Sequence, residues 1–205
     1  MIINADPLNL IVCGVGGQGN ILITRMIGRI LAAKGYCITI GETFGAAQRG
    51  GAVYSSMRIS RKRYYGPLIP KGKAHIIASL EPLETLRLLA DYGNENVMTV
   101  TNTQPVYPVG VLSGRAEYPD PVALEKTIKS LSKAAWMVNA TRLALDMKAP
   151  IVANIILLGS LLQIGKLPLS TEEIEEEIQS TFPAAVKELN RKALEEGKKA
   201  IESLT

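Results

Sequence analysis

Short runs of apolar residues alternate along most of the chain with stretches whose apolar residues recur at helical spacing. The runs predict strands at 9–15, 36–42, 52–60, 74–80, 96–102 and 135–140. The helical spacing predicts helices at 18–34, 82–92 and 122–132. This alternation indicates an α/β fold, in which a layered, mostly parallel, Rossmann-like sheet is flanked by helices and connected by right-handed crossovers.

The last quarter of the chain has no strand pattern and predicts helices at 150–164, 171–179 and 183–203. Ser170 followed by Glu173 is a capping box for the second of these helices. We therefore expect one domain over residues 1–205, with a sheet portion at about 1–148 and a helical C-terminal segment at about 150–203.

The composition is that of a protein with one full hydrophobic core, since 47% of the 205 residues are apolar. Cys13 and Cys37 fall in predicted strands without metal-ligand spacing, which suits a reducing cytoplasm. No secretion signal precedes the first strand, and the longest apolar stretch, 151–164, is too short to span a bilayer. We expect a cytoplasmic protein without membrane contact.

Charge is distributed unevenly around a net value of +4. Residues 1–75 hold ten basic and two acidic residues, a net charge of +8, whereas residues 170–205 hold nine glutamates against five basic residues, a net charge of −4. The basic part is either a solvated face or a surface for a phosphate-bearing ligand or an acidic partner. Nucleic acid is not expected, because neither a zinc pattern nor an aromatic-rich RNA signature accompanies the basic residues.

A glycine-rich segment, Gly14-Val15-Gly16-Gly17-Gln18-Gly19, joins the first predicted strand to the first helix. Backbone N–H groups and the positive helix end can meet an anion at such a turn. The spacing of Gly14, Gly16 and Gly19 also matches the dinucleotide fingerprint, with Glu42 placed to bind a ribose hydroxyl. The alternative is a tight strand-to-helix turn in which the glycines serve geometry only.

A second cluster, Gln48-Arg49-Gly50-Gly51, precedes the third predicted strand. Adjacent glycines permit close approach of a ligand or partner, and arginine offers a planar fork for phosphate or carboxylate. A surface loop with a solvated arginine explains the same residues. Because ligands of α/β sheets lie beyond the strand ends, we expect the two loops to converge there.

No catalytic residue can be assigned from side-chain patterns. His75 is the only histidine and falls inside a predicted strand, so a packed histidine is favoured over an acid–base role. The run of glutamates at 172–177 is typical of a solvated helix face and not of a metal site. No hydrolytic triad can be assembled without a second histidine.

Taken together, the two glycine loops resemble the gamma domain of the 2-oxoacid:ferredoxin oxidoreductases, and within that family the branch of the indolepyruvate ferredoxin oxidoreductase beta subunits. Further segments are similar in the same order: Gly66-Pro67-Leu68-Ile69-Pro70, Leu80-Glu81-Pro82-Leu83-Glu84, Asn154-Ile155-Ile156-Leu157-Leu158-Gly159, Phe182-Pro183 and Asn190. The resemblance covers essentially the whole chain. His75 departs from it, standing where the family implies an acidic residue.

This resemblance implies a subunit of an enzyme that oxidatively decarboxylates a 2-oxoacid, forms an acyl-CoA and reduces ferredoxin. Thiamine diphosphate, magnesium and iron–sulfur clusters are implied on a larger partner chain, through which ferredoxin would be reached. Two cysteines cannot hold a four-cysteine cluster, so this chain by itself is expected to bind no cofactor and to be inactive. The pyruvate, 2-oxoglutarate and indolepyruvate branches share the loops, which leaves the substrate open.

The implied role of this chain is to shape the active-site wall or the approach of coenzyme A. The residues expected there are Gly14, Gly16, Gly17, Gln18, Gly19, Gln48, Arg49, Gly50, Gly51 and Asn154. Two other classes remain open from the sequence: a self-sufficient NAD- or FAD-dependent enzyme that uses Glu42, and a purely structural partner subunit.

Overall fold

The computed structural model describes residues 3–42 and 51–204, which form a six-stranded sheet with helices on both faces. The strands are β1 (Leu8–Val15), β2 (Cys37–Glu42), β3 (Ala52–Ser60), β4 (Ile76–Ser79), β5 (Met98–Asn102) and β6 (Ala134–Val138). Their order in the sheet is β2-β3-β1-β4-β5-β6. The predicted α/β class with a mostly parallel sheet is confirmed.

Helices in the first two thirds of the chain alternate with the strands, and the later helices all follow the last strand. They are α1 (Asn20–Ala33), α2 (Pro82–Tyr92), α3 (Val109–Leu112), α4 (Pro121–Ser130), α5 (Ala140–Asp146), α6 (Ala153–Gln163), α7 (Thr171–Thr181) and α8 (Ala184–Glu202). A short 3₁₀ turn, Pro150–Val152, leads into α6. No helix within the described residues is long and apolar enough to cross a membrane.

Strand β1 is buried on both faces and carries the two halves of the core. Leu10 and Val12 pack in the cluster that contains residues of α1, α6 and α8, whereas Ile11 and Cys13 pack in the cluster with residues of α2 and α4. Successive side chains of a strand point to opposite faces, so an uninterrupted apolar run is required at this central position. This explains why the predicted first strand has no polar alternation.

The antiparallel β3 lies between β1 and β2, which departs from a fully parallel arrangement. Strands β1, β4, β5 and β6 run parallel to one another. Only nine residues separate Glu42 from Ala52, whereas a parallel crossover needs a dozen or more. The short connection therefore favours an antiparallel return of β3.

The sequence pattern missed α5, because its seven residues follow β6 directly and are too few for a clear helical periodicity. Asn139 begins this helix, and its side chain accepts a hydrogen bond from the Arg142 N–H (3.0 Å). The predicted capping box of α7 is present, with Ser170 Oγ accepting from Glu173 N (3.3 Å) and Glu173 Oε2 accepting from Ser170 N (2.8 Å).

His75 lies immediately before β4 and is packed between strands rather than exposed in a cleft. The imidazole Nδ1 accepts a hydrogen bond from the backbone N–H of Asn9 (2.9 Å), and the backbone N–H of His75 donates to the Asn9 carbonyl (3.0 Å). Burial, followed by the nearby Lys73 ammonium, lowers the pKa of the imidazole from 6.5. The imidazole is therefore held in its neutral form by the backbone of β1, which is a structural role.

Candidate functional site

The first glycine loop joins β1 to α1 at the carboxyl edge of the parallel strands. Gly17 has φ +100° and Gly19 has φ +87°, both in the left-handed region that side chains other than glycine rarely adopt. Gly19 is also the N-cap of α1 and lacks a side chain to cap it. Glycine is thus required at these two positions by the backbone conformation itself.

Gln18 fastens this loop to the neighbouring strand. Its Oε1 accepts a hydrogen bond from Val15 N (2.6 Å), and its Nε2 donates to the Leu80 carbonyl (3.1 Å) at the end of β4. An ideal Cβ at Gly14 would lie 2.5 Å from Gln18 Oε1, so Gly14 makes room for this amide. Both ends of the Gln18 amide are therefore engaged in holding the loop.

Asn154 reaches the same loop from the start of α6. Its side chain lies against Gly19, where an ideal Cβ would come closer than 3.0 Å to Asn154 Nδ2. Its Oδ1 accepts from Ile155 N (2.8 Å), and its Nδ2 has no acceptor among the described residues. Asn154 as a whole residue is 6% exposed, and its Nδ2 faces the loop without an acceptor in the described part of the protein.

A cavity of about 690 Å³ opens beside this contact at the ends of β1, β4 and β5. Its floor comes from the glycine loop and strand ends, and its walls from the segment before α6 and from α8. The described residues that line it are Gly17, Gln18, Gly19, Leu22, Leu80, Asn102, Gln104, Val106, Thr141, Pro150, Ile151, Val152, Ala153, Asn154, Phe182, Val186, Leu189 and Asn190. None of these lining residues is charged.

Most polar side chains at the cavity are engaged in connecting the elements around it. Asn102, at the end of β5, donates to the Leu80 carbonyl (3.0 Å) and to Thr141 Oγ1 (3.0 Å) and accepts from Thr141 N (3.2 Å). Asn190 donates to the Val186 carbonyl (2.8 Å) in its own helix. The Leu80 carbonyl therefore joins the first glycine loop to β5 and α5.

Four polar lining residues were not predicted as site residues from their chemistry: Asn102, Gln104, Thr141 and Asn190. Asn102 could have been found, because it ends a predicted parallel strand at the edge where ligands of such sheets lie. Thr141 belongs to the helix that the sequence pattern missed, so it had no local signal. Asn190 was noted only as part of the similar tail.

Glu81, which follows β4, is buried (1% exposed) and has a structural role. Its carboxylate accepts from Glu84 N (2.9 Å), which caps α2, and from the Tyr118 hydroxyl. Burial and this hydrogen bond raise the pKa of Tyr118 well above its usual range. Burial also raises the pKa of Glu84, against the lowering effect of the adjacent Arg87 guanidinium. The Glu81 carboxylate therefore fixes both the start of α2 and the loop that carries Tyr118.

The second glycine loop is described only at its end. Gln48, Arg49 and Gly50 lie outside the described residues, whereas Gly51 precedes β3. The Gly51 carbonyl accepts a hydrogen bond from Gly16 N (2.8 Å), so the end of the second loop adjoins the first. The structure thus brings together Gly14, Gly16, Gly17, Gln18, Gly19, Gly51 and Asn154.

Glu42 occupies a place that does not suit a ribose contact. Because β3 lies between β1 and β2, Glu42 is separated from β1 by a whole strand and pairs with Ser55. Its carboxylate binds the Arg25 guanidinium, at 3.2 Å to Nε and 3.1 Å to Nη2. The dinucleotide alternative, which requires Glu42 beside the glycine loop, is therefore not favoured.

The donor set of the described residues does not fit an iron–sulfur cluster or a metal ion. Burial raises the pKa of the Cys13 thiol to about 12, which opposes formation of the thiolate that binds metals. Cys37 lies in the separate strand β2, and the described ranges contain no group of three or more histidine, cysteine, aspartate or glutamate residues that could hold a metal ion.

The fold and the cavity are those of an α/β protein with a candidate ligand site at the carboxyl ends of its parallel strands. The sequence matches the pyruvate ferredoxin/flavodoxin oxidoreductase family over residues 9–200, and the chain belongs to this family. Indolepyruvate oxidoreductase subunit IorB of Archaeoglobus fulgidus is 35% identical to it over 190 residues, 93% of each chain.

Two solved structures share the fold at lower sequence identity. The gamma subunit of the keto/oxoacid ferredoxin oxidoreductase of Geobacter sulfurreducens has a TM-score of 0.66 and 22% identity, over 95% of this chain and 98% of that one. The 2-oxoglutarate:ferredoxin oxidoreductase of Magnetococcus marinus, solved with 2-oxoglutarate, coenzyme A and succinyl-CoA, has a TM-score of 0.74 and 20% identity. That match covers 98% of this chain and 32% of the other.

Proposed function

We propose that this chain is the cluster-free subunit of a cytoplasmic indolepyruvate- or arylpyruvate-type 2-oxoacid:ferredoxin oxidoreductase. Family membership supports a role within an oxidoreductase complex, and the IorB similarity over 93% of both chains supports the indolepyruvate branch. The complex would decarboxylate an aryl 2-oxoacid, form the acyl-CoA and pass two electrons to ferredoxin.

The observation that carries this proposal is the cavity beside the Gly19–Asn154 contact. It lies where ligands of α/β sheets bind, and its volume of about 690 Å³ can hold part of a substrate. Because the described residues around it include no nucleophile or acid–base group in position for catalysis, the cavity suits a binding wall. We therefore assign this chain to shaping the active-site wall or the approach of coenzyme A.

Thiamine diphosphate, magnesium and the iron–sulfur clusters are proposed to lie on a larger partner chain. The chemistry of the two cysteines supports this, since one is deeply buried and protonated and the other lies on a distant strand. When bound there, thiamine diphosphate supplies the carbanion chemistry of decarboxylation. Ferredoxin would be reduced through that partner and not through this chain.

The loop around Gln48, Arg49, Gly50 and Gly51 is proposed as the anion contact of the site. Gly51 adjoins the first loop through the Gly16 N–H, which supports this place for the end of the second loop. Arg49 would meet a carboxylate or phosphate of the substrate, of coenzyme A or of the partner chain. Glycines on its C-terminal side leave space for such a group.

Co-expression of this chain with its large partner tests the proposal. We expect the two chains to co-purify and the complex to reduce a viologen dye when indolepyruvate and coenzyme A are both supplied. Pyruvate and 2-oxoglutarate serve as substrate controls, and each chain by itself should be inactive. If the complex forms but reduces no dye with any 2-oxoacid, the oxidoreductase proposal is contradicted and a purely structural role for this chain is favoured.

A further inference from the structure

The cavity combines three properties that restrict what it can bind. It measures about 690 Å³, within the range of roughly 300–1,000 Å³ found for small-molecule sites. Most of its walls are apolar, with Leu22, Val152, Phe182 and Leu189 among them. It also contains Asn154, whose side-chain N–H group lacks an acceptor among the described residues.

The other buried or half-buried side-chain amides of the described lining already donate hydrogen bonds within the protein, and Asn190 does so to the Val186 carbonyl. The Gln18 amide holds Val15 and Leu80, and the Asn102 amide holds Leu80 and Thr141. The Asn154 Nδ2 group makes no hydrogen bond within the described protein, so a ligand acceptor in the cavity can pair with it. Among the buried side-chain amides of the described lining, Asn154 is thus the one whose Nδ2 is left for a ligand acceptor.

The described lining offers no counter-charge to an anionic group. A carboxylate or phosphate moved into apolar surroundings without a counter-charge pays a large desolvation penalty. No lysine, arginine or histidine is among the described lining residues. The part of a ligand that contacts these described residues is therefore best matched when it is uncharged.

We propose that this cavity binds an uncharged, largely apolar organic group whose hydrogen-bond acceptor pairs with Asn154 Nδ2. In naming possible sources, this inference rests on the function proposed above. Two reactants carry such a group: the aryl end of the 2-oxoacid, and the pantetheine arm of coenzyme A with its amide carbonyls. In both, the charged end would remain outside the cavity.

Binding of neutral probes to the full-length subunit tests the site directly. We expect pantetheine or indole-3-acetamide to saturate the protein in calorimetric titrations, without competition from inorganic pyrophosphate. Val186→Trp fills the cavity and should weaken probe binding at least 10-fold. Ala185→Trp is the matched control, since Ala185 is exposed on the same helix and does not line the cavity, and it should bind as the wild type does.

Asn154→Asp tests the hydrogen bond separately from the volume. The replacement keeps the shape, exchanges the N–H donor for an acceptor and adds a carboxylate to the wall, so probe binding should again fall at least 10-fold. Thermal melting and circular dichroism of each variant establish that the fold is retained. If Val186→Trp fails to fold, Leu189→Trp from the same wall provides a second filling variant.

The assembled complex distinguishes the two sources. A raised KM for coenzyme A with an unchanged KM for the 2-oxoacid, in the Val186→Trp variant, identifies the pantetheine arm. A raised KM for indolepyruvate, with no change for pyruvate, identifies the aryl group. If no neutral probe binds and neither KM changes, the inference is wrong while the oxidoreductase proposal stands. If the wild-type complex is inactive, probe binding alone decides the inference.

Discussion

Gly19 and Asn154 lie in direct contact at the cavity, and each restricts what the other can be. Gly19 has a positive φ (+87°), and any Cβ there would come closer than 3.0 Å to Asn154 Nδ2. The Asn154 side chain, in the first turn of α6, in turn occupies the space that a Cβ at position 19 would need. The glycine therefore serves both the backbone conformation and the space for the asparagine.

Replacing Gly19 with alanine is expected to destabilise the protein more than replacing Gly17. Both positions have left-handed backbone, which costs a residue with a Cβ about 1–2 kcal/mol. Only Gly19→Ala must also displace the Asn154 amide and its hydrogen bond to Ile155 N, at about 0.5–1.5 kcal/mol more, because a Cβ at Gly17 meets nothing within 4 Å. Urea denaturation of both variants measures the difference in unfolding free energy.

A double-mutant cycle then assigns the difference to the asparagine. Asn154→Ala removes the clashing group, so it should recover part of the stability lost in Gly19→Ala. Equal stability of Gly17→Ala and Gly19→Ala, or strict additivity with Asn154→Ala, would show that backbone strain alone explains the glycine.

His75 makes folding stability depend on pH below neutrality. Its pKa lies below 6.5 in the folded protein because burial, and then Lys73, disfavour the imidazolium. The unfolded chain binds the proton first, so stability present above about pH 6.5 is lost as pH falls toward the folded pKa. One such proton accounts for at most about 1.4 kcal/mol per pH unit.

Urea unfolding of the wild type and His75→Gln between pH 7.5 and 5 measures this effect. The wild type should lose stability over this range relative to the variant, since no second histidine is present. The raised pKa of Glu84 acts in the opposite direction, because its proton is bound more tightly in the folded state, but it contributes to both proteins. Parallel pH profiles would contradict the assignment.

Arg49 is expected to contribute a charge-assisted hydrogen bond to a reactant or to the partner chain. Such a bond is worth roughly 1.5–3 kcal/mol, so Arg49→Ala should lower kcat/KM of the assembled enzyme by about 10- to 150-fold. Arg49→Lys keeps the charge without the planar fork and should recover part of the loss. Wild-type kinetics for Arg49→Ala, with assembly unchanged, would make this a solvated loop arginine.

At the scale of elements, the C-terminal helices pack by backbone contact. Gly159 of α6 and Gly197 of α8 each lie where an ideal Cβ would come closer than 3.0 Å to a backbone carbonyl of the other helix. Ser160 Oγ adds a hydrogen bond to the Gly197 carbonyl (3.0 Å). This packing sets the distance between the two helices that carry Asn154 and Val186 into the cavity wall.

Gly197→Ala should destabilise the protein although alanine is the better helix former. The propensity gain is about 0.5–1 kcal/mol, whereas overpacking against a rigid backbone costs about 1–3 kcal/mol, so the clash decides the sign. Gly66→Ala is the control, because a Cβ there meets nothing within 4 Å and its φ is not positive. A midpoint in urea equal to that of the control would mean that the helices separate without cost.

At the scale of the whole molecule, the C-terminal helices and the sheet share one hydrophobic cluster. This cluster includes Val12 of β1, Ile156 of α6, Ile174 of α7 and Leu194 of α8. Trp136 of β6 packs against the same cluster. This supports the proposal of one domain over the whole chain, in which the helical segment does not fold apart from the sheet.

Equilibrium unfolding of the subunit should therefore show a single transition. Circular dichroism at far-ultraviolet wavelengths reports mainly the helices, while fluorescence of Trp136 reports the sheet edge. Coincident curves are expected, because losing α6 or α8 removes buried contacts of the strands as well. Two separated midpoints would show that the sheet and the helical segment are independent units.

Local patterns in the sequence were sufficient for the α/β class, the places of all six strands and the strand-to-helix position of the first glycine loop. These features depend on near neighbours: apolar runs, helical spacing, caps and turn glycines act over a few residues. The joint presence of two glycine loops also pointed to the family. The antiparallel place of β3 was not specified, because it follows from a short connection and from competition among strands for neighbours.

Only the tertiary structure placed Asn154 against Gly19, joined Asn102 and Thr141 to the Leu80 carbonyl, and gave the Gln18 amide a structural role. These contacts link residues far apart in the chain, and they depend on how three layers pack around the strand ends. It also placed Glu42 beside Arg25 and a strand away from the glycine loop. The sequence determines the chemistry of each residue, whereas the packing of the helices and strands determines which other residues it contacts.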